Sequence, residues 1–257
     1  MAPGLYAVVA GSLAQERRLD VLANNLANVS TAGFKADVPL FEVIPPPAAS
    51  SVPGAFPLQS LNPSSRASFV QGAYVTPVGL KADLSPGEMR STGNPLDLAI
   101  NGKGWFSIQT PWGTRYTRNG SFTLDSQGQL VTHDGWPVIG NNGPITVHGN
   151  NVRIDPRGVI MVDGQEIDQL KIMEPSGDKA FQKAEASLFA PKPGAGAMQV
   201  APEPDVKQGL IELSNVNPIK GMTGLIDAMR AYESYQKALQ TWSETTSRAV
   251  NDVGRLK

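Results

Sequence analysis

Two runs of residues spaced by threes and fours sit at opposite ends of this chain, and they limit the folds open to it. The first is Leu5, Val8, Ser12, Gln15, Leu19, Leu22, Leu26 and Val29. The second is Met222, Leu225, Met229, Tyr232, Gln236, Leu239, Ser243, Thr246, Val250 and Val253. Alternating steps of three and four keep side chains on one stripe of an α-helix, as in the a/d seam of a coiled coil. A stripe this narrow does not fill a globular core by itself. Polar residues interrupt both stripes; they weaken an isolated pair but set register between helices. Periodicity admits two arrangements. One is an axial core shared with neighbouring subunits, and the other is a helical hairpin packed against the rest of the chain.

The spacing predicts a first helix from Leu5 to about Val29, stopped by Ser30-Thr31-Ala32-Gly33, where glycine accommodates positive φ. Asn24, Asn25 and Asn28 are poor helix formers. They fit either capping and fraying at the helix end or amide hydrogen bonding between subunits. The second helix opens at Asn217-Pro218, asparagine as N-cap and proline at the first helical position, and runs to about Val253.

Between the helices, from about 67 to 200, the period falls to two. Strands are expected at Leu96–Ile100, Trp105–Gln109, Thr114–Arg118, Ser121–Leu124, Gln129–Thr132, Pro137–Ile139, Ile145–His148, Val152–Ile154, Val159–Val162 and Ile167–Ile172. Asn119-Gly120 and Asp134-Gly135 are hairpin signals, because type I′ turns need positive φ at both centres. Pro45-Pro46-Pro47 and Asn62-Pro63-Ser64-Ser65 mark one connection, and the loose composition over 175–205 a second. Gly209–Leu213 is a last strand. The expected class is α+β. Residues 1–45 and 206–257 form a coiled-coil-like helical core domain, 46–75 a connection, and 76–205 an antiparallel all-β domain.

Lysine plus arginine number 22 and aspartate plus glutamate 23, for a net charge of −1. That balance offers no footprint for nucleic acid or an anionic membrane. Cysteine is absent, which excludes disulfides, thiolate metal sites and thiol nucleophiles. No apolar run reaches the roughly 18 residues of a membrane span. The N-terminus has no basic segment before its apolar run, unlike a cleaved signal.

Catalytic patterns are scarce. His133 and His148 have no metal-ligand spacing. Ser107 and Ser121 lie in no G-x-S-x-G context, and sequence ties neither histidine to them. Asp97, Asp125, Asp134, Asp155, Asp163 and Asp168 occur singly, mostly in turns. Asn101-Gly102-Lys103-Gly104 leads into a strand, not into the helix a phosphate loop requires. Trp105, Phe106, Trp112, Tyr116, Phe122 and Trp136 suit a sheet core, with sugar stacking as the rival use. The expectation is a non-enzyme without cofactor or metal. A glycan-binding β module and a hydrolase are the competing classes. The first would work without the terminal helices, and the second would show turnover.

Four separated segments carry a resemblance. Leu19-Asp-Val-Leu-Ala-Asn-Asn-Leu-Ala-Asn-Val-Ser-Thr-Ala-Gly-Phe-Lys35 resembles the N-terminal signature of the bacterial flagellar rod, hook and hook-associated axial proteins. Ser214-Asn-Val-Asn-Pro218, with Met222, Leu225-Ile226 and Arg230-Ala-Tyr-Glu233, looks like the C-terminal signature. Thr92–Ile100 with Gly102 to Phe106, and Tyr116–Phe122 with Leu124-Asp125, resemble its β domain. The length and single β domain look like a rod protein. Leu5-Tyr6-Ala7, the Trp136–Ile145 run and the lack of a long insertion after Phe41 are more like the proximal-rod branch than the distal-rod branch.

The resemblance implies a structural subunit that polymerises with copies of itself and other rod proteins into a torque-transmitting shaft around an export channel. It implies export through the flagellar type III apparatus without a cleaved signal peptide, terminal regions that fold on assembly, and a β domain facing the periplasm and bushing rings. On this view Leu19, Leu22, Leu26, Val29, Met222, Leu225, Met229, Tyr232 and Leu239 build the helical interface. Asn24, Asn25, Asn28, Asn215 and Asn217 make polar contacts beside it. Gly33 allows the turn and Phe34 anchors it.

Overall fold

A computed structural model of the chain describes residues 3–44, 74–149, 151–175, 181–185, 187–192 and 198–254. The proline-rich connection read over 46–75 lies outside them, apart from Tyr74 and Val75. The class is α+β: two terminal helices and mostly antiparallel sheets. The chain divides into two compact units. One comprises Met1–Leu26, Val38–Lys81 and Pro218–Lys257, and the other Ala27–Asp37 and Ala82–Asn217.

In the first unit, helix α1 spans Pro3–Ala27 and helix α2 spans Pro218–Gly254. They run antiparallel. Leu22 and Leu26 lie over Gly224 and Gly221, where an added Cβ would sit 3.6 and 3.8 Å from their methyl groups. Further along, Gln236 Nε2 donates to Ser12 Oγ at 3.4 Å, and a Cβ on Gly11 would fall 2.6 Å from the Tyr235 ring. Glycine and the buried Ala228 therefore let the backbones approach. Thr223, Thr241, Thr245 and Thr246 each donate to a carbonyl four residues back, which satisfies hydroxyls inside a long helix. A two-stranded ribbon, Asp37–Ile44 with Tyr74–Ala82, completes the described part.

The second unit holds the main core. Its six-stranded sheet has the order Phe181–Glu185, Leu188–Pro191, Gly113–Thr117, Trp105–Thr110, Ile172–Pro175, Met198–Val200. Alternation sends neighbours to opposite faces. Phe106, Ile108 and Ile172 enter one cluster with Leu98, Phe122, Leu130 and Ile160. Trp105, Tyr116, Met173 and Phe189 enter another, closed by Phe181. Strands at 181–185, 188–191 and 198–200 correct the expectation of a loose connection over 175–205. Leu188 and Phe189 are buried despite the surrounding glycine and proline, and Pro175 and Pro191 sit at strand ends, where a missing donor costs little.

Two smaller meanders share one local design. Asp125 Oδ1 accepts from the amides of Gln127 and Gln129, and the Gly128 amide donates to the Asp125 carbonyl. Asp155 does the same with Arg157, Val159 and Gly158. Each Asp-x-x-Gly turn joins short strands, 122–124 to 130–132 and 152–154 to 159–162, and an Asp-Gly pair follows in both. Only Asp163-Gly164 has positive φ at both positions among the described residues, at 50° and 85°. Asn119-Gly120 makes no hairpin, contrary to expectation. It passes the chain from the six-stranded sheet to the 122–124 strand, and glycine is needed because the Leu98 carbonyl occupies the space of a Cβ.

Candidate functional site: the terminal helices and a buried charge cluster

The stripe on α1 is shielded throughout. Ser12 is buried, and Leu5, Val8, Gln15, Leu19, Leu22 and Leu26 are half-buried. On α2 the side turned to α1 carries Gly221, Gly224, Leu225, Ala228, Tyr232, Tyr235 and Leu239, all buried or half-buried. Met222 and Met229 are exposed, at 54% and 46%. Ile219, Ile226, Trp242 and Val250 on α2, with Tyr6 and Leu13 on α1, are also exposed. The chain thus brings Leu22 and Leu26 onto α2, and leaves Met222 and Met229 uncovered.

The other named residues lie at the ends of the helices. Asn24 is exposed and Asn25 buried. Asn28 closes the turn after α1, accepting at Oδ1 from Thr31 Oγ1 at 3.2 Å and at its carbonyl from the Thr31 amide. Val29 is half-buried, and Asn217 immediately precedes α2. Gly33 has φ of 66°, and a Cβ there would strike the backbone of Arg118 and Asn119. Phe34 is buried, with the Lys183 ammonium 3.9 Å from its ring centroid. Asn215 is a linking residue: its Oδ1 accepts from the Ala36 amide at 2.8 Å, and its Nδ2 donates to the Asp83 carbonyl at 2.9 Å.

Next to Gly33 and Asn215, the β unit holds a cluster that sequence reasoning missed. Glu212 Oε1 is 2.6 Å from Lys35 Nζ, and its Oε2 is 3.2 Å from Arg118 Nη1. Lys35 and Glu212 are shielded from solvent almost completely, at 0% and 1%. A buried charge is costly unless it is paired and hydrogen-bonded. Lys35 also donates to the Ser85 carbonyl, Glu212 Oε1 accepts from the Gly87 amide, and Arg118 reaches the carbonyls of Ile100 and Gly102. The guanidinium lies 5.4 Å from the Trp105 ring centroid. Burial pushes the Lys35 ammonium and Arg118 guanidinium below their usual pKa values, and the Glu212 carboxylate opposes both shifts. A legible signal existed: Lys35 ends the N-terminal signature, Arg118 is central to Tyr116–Phe122, and Glu212 sits between apolar neighbours just before Ser214.

Ser121 Oγ lies 3.3 Å from His133 Nε2, a proximity the sequence did not reveal. Asp97 Oδ1 contacts the serine, at 3.4 Å. A nucleophile–base pair needs its carboxylate on the other imidazole nitrogen, to hold the ring's tautomer and orientation. This arrangement therefore lacks the relay. Trp112 is 59% exposed and stacks edge-on against Trp136, 5.9 Å between centroids. Trp105, Phe106, Tyr116 and Phe122 are core residues.

Three family models match this chain. They are the flagella basal body rod protein model over residues 5–35, the flagellar hook protein FlgE/F/G D1 domain over 99–162, and the flagellar basal body rod FlgEFG protein C-terminal model over 207–252. The flagellar basal-body rod protein FlgF of Caulobacter vibrioides is 30% identical, with all of each chain covered. FlgF of Rhizobium meliloti is 32% identical over 99% of both chains. The chain belongs to the flagellar basal-body rod protein family. The flagellar basal-body rod protein FlgG of Buchnera aphidicola from Acyrthosiphon pisum is 34% identical, over 94% of this chain and 96% of its own. The function of this rod-family chain is structural, that of a rod subunit. The matched segments contain Lys35, Glu212 and the exposed stripe of α2. Among the described residues, no helix is long and apolar enough to cross a membrane.

Proposed function

We propose that this chain is a proximal-rod subunit of the FlgF kind, with its two terminal helices forming a coiled-coil layer with the helices of neighbouring subunits around an export channel. The observation that carries this reading is the uncovered apolar face of α2, Ile219, Met222, Ile226, Met229 and Val250, in a chain whose β unit has a large buried core of its own. A long helix with such a face gains stability when a second helix covers it, because the apolar area then leaves water. Its occupants are copies of this chain and other rod proteins. Delivery is by the flagellar type III apparatus, the β unit faces the periplasm and the bushing rings, and the role involves no enzymatic turnover. FlgG-like placement in the distal rod is the second reading, favoured by the 34% identity to a FlgG chain. End-to-end coverage by the FlgF relatives supports the first.

Two experiments test it. Leu22→Asp and Met229→Asp should each abolish swimming while the β unit keeps its fold. Normal motility in both would end the helical-core reading. Electron cryo-microscopy of hook–basal bodies from the source bacterium should show this chain beside the base of the rod with both termini helical in the inner layer. Density for it near the hook instead would assign the distal position.

A further inference from the structure

We propose that Asn101 is a site of spontaneous covalent modification, where conversion of its side-chain amide to an isoaspartyl or aspartyl residue loosens the backbone clamp on Arg118 and so reaches the buried charge cluster. This goes beyond the rod assignment and does not rest on it.

Asn-Gly occurs three times in the chain, at Asn101-Gly102, Asn119-Gly120 and Asn142-Gly143. In this dipeptide the glycine nitrogen can reach the asparagine side-chain carbonyl carbon with no side chain of its own in the way. The asparagine must be free to turn and the following amide free to approach. Asn119 is held: its Oδ1 accepts from the Ser121 amide at 3.0 Å, and its own amide donates to Thr117 Oγ1 at 3.0 Å. Gly120 is buried, with the Leu98 carbonyl where a Cβ would lie. Asn142 is held by the buried Asp168, which accepts from its amide and, at 3.1 Å, from its Nδ2.

Asn101 differs. Asn101, Gly102 and Lys103 are all exposed. Gly102 has φ of 111°, and a Cβ there would meet nothing within 4 Å. Among the described residues no acceptor takes the Gly102 amide, and the Asn101 side chain is tied through Nδ2 alone, to Asp205 Oδ2 at 2.7 Å. Asp205 keeps the Lys207 ammonium at 2.9 Å when that amide turns away. The Gly102 nitrogen then bonds to Asn101 Cγ and gives up its proton, the Cγ–Nδ2 bond breaks, and Nδ2 leaves with that proton as ammonia. One water opens the resulting ring, and nothing is oxidised or reduced. Opening at Cγ gives aspartate. Opening at the backbone carbonyl gives isoaspartate, whose main chain runs through Cβ and Cγ and is one atom longer.

Either product sets a carboxylate against Asp205 where an amide donor had been. Isoaspartate does more. Arg118 Nη1 donates to the Ile100 carbonyl at 3.0 Å and Nη2 to the Gly102 carbonyl at 2.6 Å, so its two backbone acceptors flank the altered residue. An extra chain atom between them moves one off the guanidinium. Arg118 in turn holds Glu212 Oε2, on the strand that pairs with Met89–Ser91. A surface reaction thereby acts on an ion pair that solvent does not reach.

The test ages the full-length chain at neutral and mildly alkaline pH and maps its peptides by mass spectrometry, with fragmentation that separates isoaspartate from aspartate. Asn101 should convert at least about tenfold faster than Asn119 or Asn142, which must first open locally. No conversion at Asn101, or faster conversion at either of the others, would overturn the site. Hydrogen–deuterium exchange then reads the consequence. In the isoaspartyl chain, amides over 98–102 and 210–213 should exchange at least about tenfold faster than in the fresh chain. Asn101→Gln keeps an amide but closes the larger ring far more slowly, and it should age without that change. Loosening confined to 98–102, or equal loosening in aged Asn101→Gln, would overturn the link to Arg118.

Discussion

The two units treat apolar side chains in opposite ways. The β unit encloses Leu98, Ile108, Val138 and Ile160 completely, whereas α2 leaves Met222, Ile226, Met229 and Val250 in solvent. Both sets are large and apolar, and only their neighbours differ. In the β unit strands from distant parts of the chain supply those neighbours. On α2 a single antiparallel partner covers one side of the helix. The contrast teaches that the same chemistry stabilises a fold where the chain can cover it and leaves a surface open to a partner where it cannot.

Substitutions sharpen that contrast. The largest effect should come from Phe106→Ala, which empties a fully enclosed site and should cost the β unit about 3–5 kcal/mol in denaturant unfolding. Ile226→Ala, an equally apolar truncation on α2, should change the stability of the isolated chain by less than about 0.5 kcal/mol. Equal losses in the two variants would break the comparison. Gly33→Ala comes next. It forces an L-residue to φ of 66° and drives a methyl into the Arg118–Asn119 backbone, a strain of about 1–3 kcal/mol or more, read as a lowered melting temperature. Gly11→Ala gains about 1 kcal/mol of helix propensity but presses on the Tyr235 ring. Far-ultraviolet circular dichroism should show a small net change alone and a clear rise in helicity when Tyr235→Ala removes the ring.

The smallest effect concerns pH. Burial raises the Tyr116 phenol above its usual pKa of 10.0. From about pH 10 up to the raised value, the folded chain keeps a proton that the unfolded chain has released. Stability therefore falls as pH climbs through that window. Tyr116→Phe should flatten the loss, seen as a smaller drop in the urea midpoint between about pH 9 and about pH 11.

Periodicity made both helices legible: α2 begins at Pro218 as Asn217-Pro218 predicts, and α1 ends at Ala27, two residues before the expected Val29. It also found most central strands, because a half-buried strand alternates. It did not find 181–185, 188–191 or 198–200. These are short, and their place comes from a sheet laid down by residues far away. The expected stripe on α2 ran through Met222 and Met229, while the face against α1 runs through Gly221, Gly224 and Ala228. A hydrophobic pattern does not register glycine, though glycine is what permits close approach. The charge cluster was hidden for another reason. Lys35 and Glu212 are 177 positions apart, and a single charged residue between apolar neighbours reads as a surface residue until the fold supplies its partner.

Met222 and Met229 have a chemical consequence as well as a packing one. A thioether open to solvent is readily converted by peroxide to the sulfoxide, which is polar and no longer fits a dry helical seam. If the proposed helical layer covers these residues, a chain oxidised before it meets its neighbours would carry sulfoxide at both positions, whereas one oxidised afterwards would be spared. Under that proposal the oxygen content of these two residues dates the damage relative to assembly.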